Sequence, residues 1–235
     1  MKRTLLLIAV VILAAGVVAA QEESVAKEVT GGDDLVKQKS GEWGNVWIHP
    51  DADISKFSKL YLWNSIFQFR DVSDKEVNRT TTAMMRGDQG FFAISEESRE
   101  KFKKIVSEVV VKELGRSKQF EIVDVIGPGT LAVRGAVLDI VSTVPENIGR
   151  QGNIHMAYMG EATFFFELID AETGVIMARV GDRRYIQPPA GMNSVNQAPT
   201  NAATVWNDVD MWARDQAMTL RRELDKAAKK AKKKK

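Results

Sequence analysis

Residues 161–185 constrain the fold of this chain more than any other stretch. Ala162, Phe164, Phe166 and Leu168 fall on one parity of an extended segment, and Glu161, Thr163, Phe165 and Glu167 on the other. That period of two predicts a strand with its first set on a buried sheet face. Asp170-Ala171-Glu172-Thr173-Gly174 follows as a hairpin turn, with Gly174 free to take a positive φ. The chain returns as a strand over 175–185, with Ile176, Ala178 and Val180 on one parity. Arg179 and Arg183 lie on the opposite parity and are expected to face Glu161 and Glu167 across the hairpin. Such pairs stabilise a sheet by roughly 0.2–1 kcal/mol each.

The other elements are read around this hairpin. Val46-Trp47-Ile48 before Pro50 reads as a short edge strand. Residues 57–69, FSKLYLWNSIFQF, read as a strand bent near Asn64. Ser95-Glu96-Glu97 supplies a cap oxygen and two acids for a helix N-terminus. Phe102, Ile105, Val106, Val109, Val110 and Leu114 then recur at helical spacing, and Gly115 offers a left-handed stop. Residues 120–126 read as a strand, Gly127-Pro128-Gly129-Thr130 as a turn, and 131–143 as a central strand apolar on both parities. Residues 186–203, with three prolines, read as a loop. A second long helix over 204–224 carries Val205, Val209, Trp212, Ala213, Ala217, Leu220 and Leu224 on one stripe. The order predicts an α+β fold: a mainly antiparallel, mixed sheet of about five strands with two long helices packed against it.

The ends carry a different signal. Lys2 and Arg3 precede an apolar run that closes on small residues through Ala20, before Gln21-Glu22-Glu23. This is the layout of a signal peptide over residues 1–20, with an uncleaved anchor as the alternative. Residues 21–42 are charged and poor in large apolar side chains, so they read as a flexible linker to a single domain over 43–225. Lys2, Arg3 and the seven lysines from Lys226 onward account for nine of the 33 basic residues, leaving 24 against 31 acids between. The chain is therefore an acidic body with a lysine-rich tail over 226–235. There is no cysteine. Disulfides, thiolate metal sites, a Cys nucleophile and a lipidated cleavage-site cysteine are all excluded.

Two segments carry a family likeness. VDVIGPGTLAVRGAVLDIV (residues 123–141) and GEATFFFELIDAETGVIMARVGDRR (residues 160–184) resemble the bacterial domain-of-unknown-function family 3313. The shared features are Gly127-Pro128-Gly129, Arg134 and Asp139, then Glu167, Asp170, Thr173, Gly174 and Asp182-Arg183-Arg184. The resemblance spans residues 43–225 and implies an exported α/β domain similar to small envelope-assembly domains, with no known activity. Many members of that family look like lipoproteins; this chain departs from them in lacking the cysteine.

No reaction is legible in the residues. The two histidines, His49 and His155, have no partners at metal-ligand spacing. No Ser sits in a G-x-S-x-G elbow, and the Gly127-Pro128-Gly129 turn joins two strands instead of opening a helix. Arg86-Gly87-Asp88 reads as a turn and Asn78-Arg79-Thr80 as a glycosylation sequon by spelling alone. Asp139, in an apolar strand, reads either as a buried acid of raised pKa or as an ion-paired strand residue, and parity sets Arg134 on the opposite face. Arg134, Asp139, Asp182, Arg183 and Arg184 form a candidate polar cluster. Lys229, Lys230, Lys232, Lys233, Lys234 and Lys235 form a candidate contact to an anionic envelope surface, each Lys worth about 1 kcal/mol near such a surface. The alternative for that tail is a solvated terminus. No metal, cofactor or nucleic acid is expected. The reading that follows is a non-enzymatic, periplasmic or secreted domain that binds an envelope protein or surface. A small-molecule module with a cleft near 186–203 and a hydrolase with an unrecognised site are the alternatives.

Overall fold

The computed structural model describes residues 34–39, 41–73, 90–145, 158–187 and 202–232. Eight strands form one mixed sheet: β1 (Val36–Gln38), β2 (Asn45–Ile48), β3 (Lys59–Leu62), β4 (Ile66–Phe69), β5 (Glu121–Val123), β6 (Thr130–Ser142), β7 (Gly160–Asp170) and β8 (Ile176–Ile186). Two helices, α1 (Glu96–Leu114) and α2 (Ala202–Lys232), pack together and cover one face. The strand order is β1-β2-β8-β7-β6-β3-β5, with β4 also on the edge of β6. The fold is α+β as the pattern predicts, but the expected five strands are eight. Strands β3, β4 and β5 are parallel to their neighbours, so the sheet is mixed and not mainly antiparallel.

The segment FSKLYLWNSIFQF explains part of the difference. It does run along one neighbour and does break near Asn64, giving β3 beside Thr130–Val133 and β4 beside Ala136–Ile140 of the 13-residue β6. Strand β5 falls within the expected 120–126 strand but keeps only three of its seven residues. The remaining addition is β1, three residues in the stretch read as linker, which pairs Val36–Ile48, so β2 is an interior strand and not an edge.

The 160–186 hairpin follows its pattern closely. Ala162, Phe164, Phe166 and Leu168 are all buried against the helices. Asp170 O accepts from Gly174 N–H at 2.8 Å, and Gly174 takes φ +74°. Aromatic rings run through the core from Phe102 to Trp212 (6.2 Å), Phe164 (5.2 Å), Phe166 (4.8 Å) and Trp43 (5.9 Å). The helical stripes are buried as expected, and α1 begins after Ser95 with Glu96 and Glu97 in its first turn and ends at Gly115, but the geometry of both ends is corrected. Ser95 occupies the cap position without a side-chain cap bond, and Gly115 is right-handed at φ −63°. The helix instead tightens, with Arg116 and Ser117 N–H donating to Glu113 and Leu114 carbonyls. Helix α2 runs eight residues past the expected end, carrying helical backbone to Lys232.

Candidate functional site

Both helices lie on the Phe164 face. The opposite face carries no helix among the described residues, and it collects the charges. Strand register sets Glu167 directly between Arg134 on β6 and Arg179 on β8. Arg179 Nε and Nη2 donate to Glu167 Oε1 at 2.8 and 2.6 Å, and Arg134 pairs with Oε2. Glu167 and Arg179 are 1% and 2% exposed, so the array is built into the sheet and not draped over it. Phe165 lies beside it under the Arg179 guanidinium, 5.7 Å from ring centroid to charge. A Cβ on Gly181 would stand 3.0 Å from that ring, so glycine is what lets Phe165 lie against the neighbouring strand.

A second array continues along the same face. Val137 and Ile140, three residues apart, both join the core, because a bulge interrupts β6 between Leu138 and Val141. Asp139 sits in that bulge with φ +52°, a left-handed backbone that Asp tolerates better than most residues. The extra residue resets the parity, bringing Asp139 onto the face of Arg134 that simple alternation denied it. Arg70, just after β4, grips Asp139 with two bonds of 2.6 Å. Arg183 bridges Asp139 to Glu161, reaching Glu161 Oε2 at 2.7 Å. Of the two carboxylates expected opposite the arginines, Glu167 thus meets Arg179, and Glu161 meets Arg183 on the diagonal.

Electrostatics settle the nature of Asp139. The Arg70 hydrogen bonds hold its carboxyl below the ordinary 3.8, against the upward push of burial and with help from Arg183. The reading of a raised-pKa acid is therefore corrected: its arginine partners favour the ionised form of Asp139. The group whose pKa burial does raise is Asp208 on α2, which no sequence pattern singled out. Tyr158 is also raised, by burial and then by Glu161, and its ring lies 4.4 Å from Tyr185.

The five residues of the candidate polar cluster do not form one cluster. Arg134, Asp139 and Arg183 share the helix-free face. Asp182 and Arg184 point to the helix side, where Asp182 Oδ2 accepts from Gly44 N–H at 3.2 Å and Arg184 lies 5.4 Å from the Trp43 ring centroid. They fasten the loop before β2. Lys229 and Lys230 are exposed on α2, and Lys232 belongs to its last turn. Lys233, Lys234 and Lys235 lie outside the described residues, as do residues 1–33, His155, Arg86-Gly87-Asp88, Asn78-Arg79-Thr80 and most of the 186–203 loop. His49 Nδ1 accepts from Asp51 N–H at 3.1 Å, while Asp139 is held by arginines, so the two make no acid–base pair. No group of three or more His, Asp or Glu suited to a metal occurs among the described residues.

Arg70, Trp63 and Ile66 were not singled out by sequence reasoning. Arg70 meets Asp139 only because β4 runs parallel to β6, 69 positions later. Ile66 follows from the same pairing and Trp63 from that of β3 beside Val133, which sets both on the helix-free face at 54% and 49% exposure. An apolar cavity of about 160 Å³ does lie where the 186–203 loop leaves β8, lined by Phe102, Met159, Ile186 and Trp206. It is smaller than the roughly 300–1,000 Å³ of ordinary ligand sites. Among the described residues no helix is long and apolar enough to cross a membrane.

No family model matches the chain, and no curated protein is similar to it. Several solved structures are distantly similar. The PelC dodecamer of Paraburkholderia phytofirmans is 8% identical, with 78% of this chain and 94% of that chain covered and a TM-score of 0.31. A Xanthomonas campestris protein of domain-of-unknown-function family 330 is 8% identical over 79% and 93%, at 0.39. A neuraminyllactose-binding hemagglutinin homolog of Helicobacter pylori is 12% identical over 77% and 95%, also at 0.39.

Proposed function

We propose that this chain is an exported cell-envelope domain without enzymatic activity that binds a partner protein through the exposed aromatic and apolar residues on the helix-free face of its sheet. One observation carries the reading: Trp63, Ile66 and Tyr185 stand about half exposed around an ion-pair array whose centre is buried. Exposed aromatic and arginine side chains held on a rigid frame are the residue types that dominate protein interfaces. Carboxylates already saturated by guanidinium groups are poor general acids, which supports a binding role over hydrolysis. The signal-peptide layout of residues 1–20 supports export, and the likeness to family 3313 belongs to the same proposal.

Site-specific photocrosslinking in envelope fractions tests it. Probes at Trp63 and Ile66 are expected to capture one reproducible protein, and a probe at Lys104, 74% exposed on α1, to capture none. Equal or absent capture from both faces overturns the reading. A Trp63→Ala change is expected to weaken capture about tenfold. Export has its own readout: the mature protein is expected to begin at Gln21.

The lysine tail supports a second contact. Lys229 and Lys230 project from the end of α2, where cations also complement the helix dipole. Seven lysines from Lys226 would add a salt-sensitive attraction to phosphate-bearing envelope surfaces.

A further inference from the structure

A second cavity, of about 530 Å³, opens between the C-terminal half of α2 and the β8–β2 side of the sheet. Its floor is apolar: Val46, Leu168, Ala178, Val180, Leu220 and Leu224. The space exists because Ala178 on β8 and Ala227 on α2 line it with single methyl groups. The volume lies within the roughly 300–1,000 Å³ range of small-molecule sites, unlike the cavity beside Ile186. Apolar surface also continues out of it. Ile48 lines the groove at 37% exposure, and its register partner Val36 on β1 is 50% exposed.

The polar groups at the rim are unevenly satisfied. Glu223 is engaged by Lys226 at 3.3 Å, and Asp53 Oδ1 accepts from Ser55 N–H and Oγ–H at 3.1 and 2.6 Å. Lys39 and Lys230 form no ion pair among the described residues, and Glu42 is the other charged group beside them. Inside, the Trp43 indole is 3% exposed, and its N–H is buried without a hydrogen-bond partner. An apolar trough that ends at two unpaired cations matches an amphiphile with one alkyl chain and an anionic head.

We propose that this groove binds a long-chain fatty carboxylate, the alkyl chain along Leu168, Val180 and Leu224 and the carboxylate at Lys39 and Lys230. The site lies on the helix side of the sheet, separate from the partner-binding face proposed above, and does not rest on that reading.

Calorimetric titration of the delipidated full chain with hexadecanoate tests it. A 1:1 complex is expected. Ala227→Trp, which fills the trough, is expected to weaken it at least tenfold. The double change Lys39→Glu with Lys230→Glu is expected to weaken hexadecanoate several-fold and leave hexadecanol unchanged. Both lysines are exposed, so this pair reads the site even if Ala227→Trp fails to fold. Absence of a 1:1 complex overturns the proposal, as does unchanged affinity in both variants. Concentration-dependent dimerisation that Ala227→Trp abolishes would also overturn it, assigning the groove to a second copy. Crosslinking from Trp63 is expected to survive Ala227→Trp, so failure of one reading is distinguishable from failure of the other.

Discussion

At the residue scale, Glu167 and Arg179 dominate, because each is an ion removed almost entirely from water. Losing one partner of such a pair costs about 3–5 kcal/mol, since the other is left charged in a poor solvent. The two single changes are not equivalent. Arg179→Met leaves Glu167 still paired to Arg134, whereas Glu167→Gln strips the carboxylate from both arginines. Glu167→Gln is therefore expected to be the more destabilising in urea unfolding, and equal losses would contradict the shared-carboxylate geometry. Asp139 makes a different demand, on its backbone. Asp139→Asn should keep the left-handed bulge, while Asp139→Val adds about 1–2 kcal/mol of strain to the lost ion pairs. The pH dependence has two opposing parts. Asp139 is held below 3.8 by Arg70, so its contribution is present above that pH and is lost as pH falls through the lowered folded value. Asp208 is raised above 3.8 by burial, so its ionisation penalises the fold as pH rises through the raised value. Asp208→Asn is expected to raise Tm at pH 7 and not at pH 3. The Glu–Arg contacts of the hairpin were legible because a tight turn fixes register locally. The Arg70–Asp139 contact was not, because a bulge and a distant parallel pairing had to be known first.

At the element scale, the long strands and both helices were legible, since each repeats its period over many residues. Strand β1 was not, because three residues carry no period and gain their identity only from the neighbour they pair with, while β5 was legible as a strand but not in its length. The end signals of α1 marked the right positions, Ser95 and Gly115, but not their geometry: a cap residue proposes a geometry, and the following chain decides it. The interior of the sheet has its own test. A Cβ at Gly160 would lie 2.3 Å from the Val141 carbonyl oxygen, and one at Gly181 would lie 3.0 Å from a Phe165 ring carbon. Backbone cannot swing aside as a ring can. Gly160→Ala is therefore expected to cost more than Gly181→Ala, with the latter in the ~1–3 kcal/mol range of overpacked cores. Denaturant midpoints of the two variants check the order; the reverse order would mean that the β6–β7 ladder yields more easily than the Phe165 ring.

At the scale of the whole molecule, the α+β class was readable from the order of elements, while the parallel half of the sheet was not. Nothing in 57–69 reveals that its partner is β6 instead of an adjacent hairpin strand. The charge division was visible in the sequence, and the structure adds that the basic end leaves on a helix anchored in the core by Leu220 and Leu224. Deleting residues 229–235 is expected to abolish low-salt binding to anionic vesicles and to move Tm by little, as Lys229 and Lys230 are exposed. Vesicle binding by the truncated protein equal to that of the full chain would refute the tail's role. The sheet order also has a temporal side. Among the described residues strand β2 pairs with β1 and with β8 alone, where Asn45 meets Gly181. A nascent chain emerging N-terminus first therefore holds β1 and β2 without a sheet to join until β8 has followed, more than a hundred residues later. Contacts of such sequence separation form slowly. The β1–β2 edge is thus a late addition to the sheet, joined only after its last strand has been made.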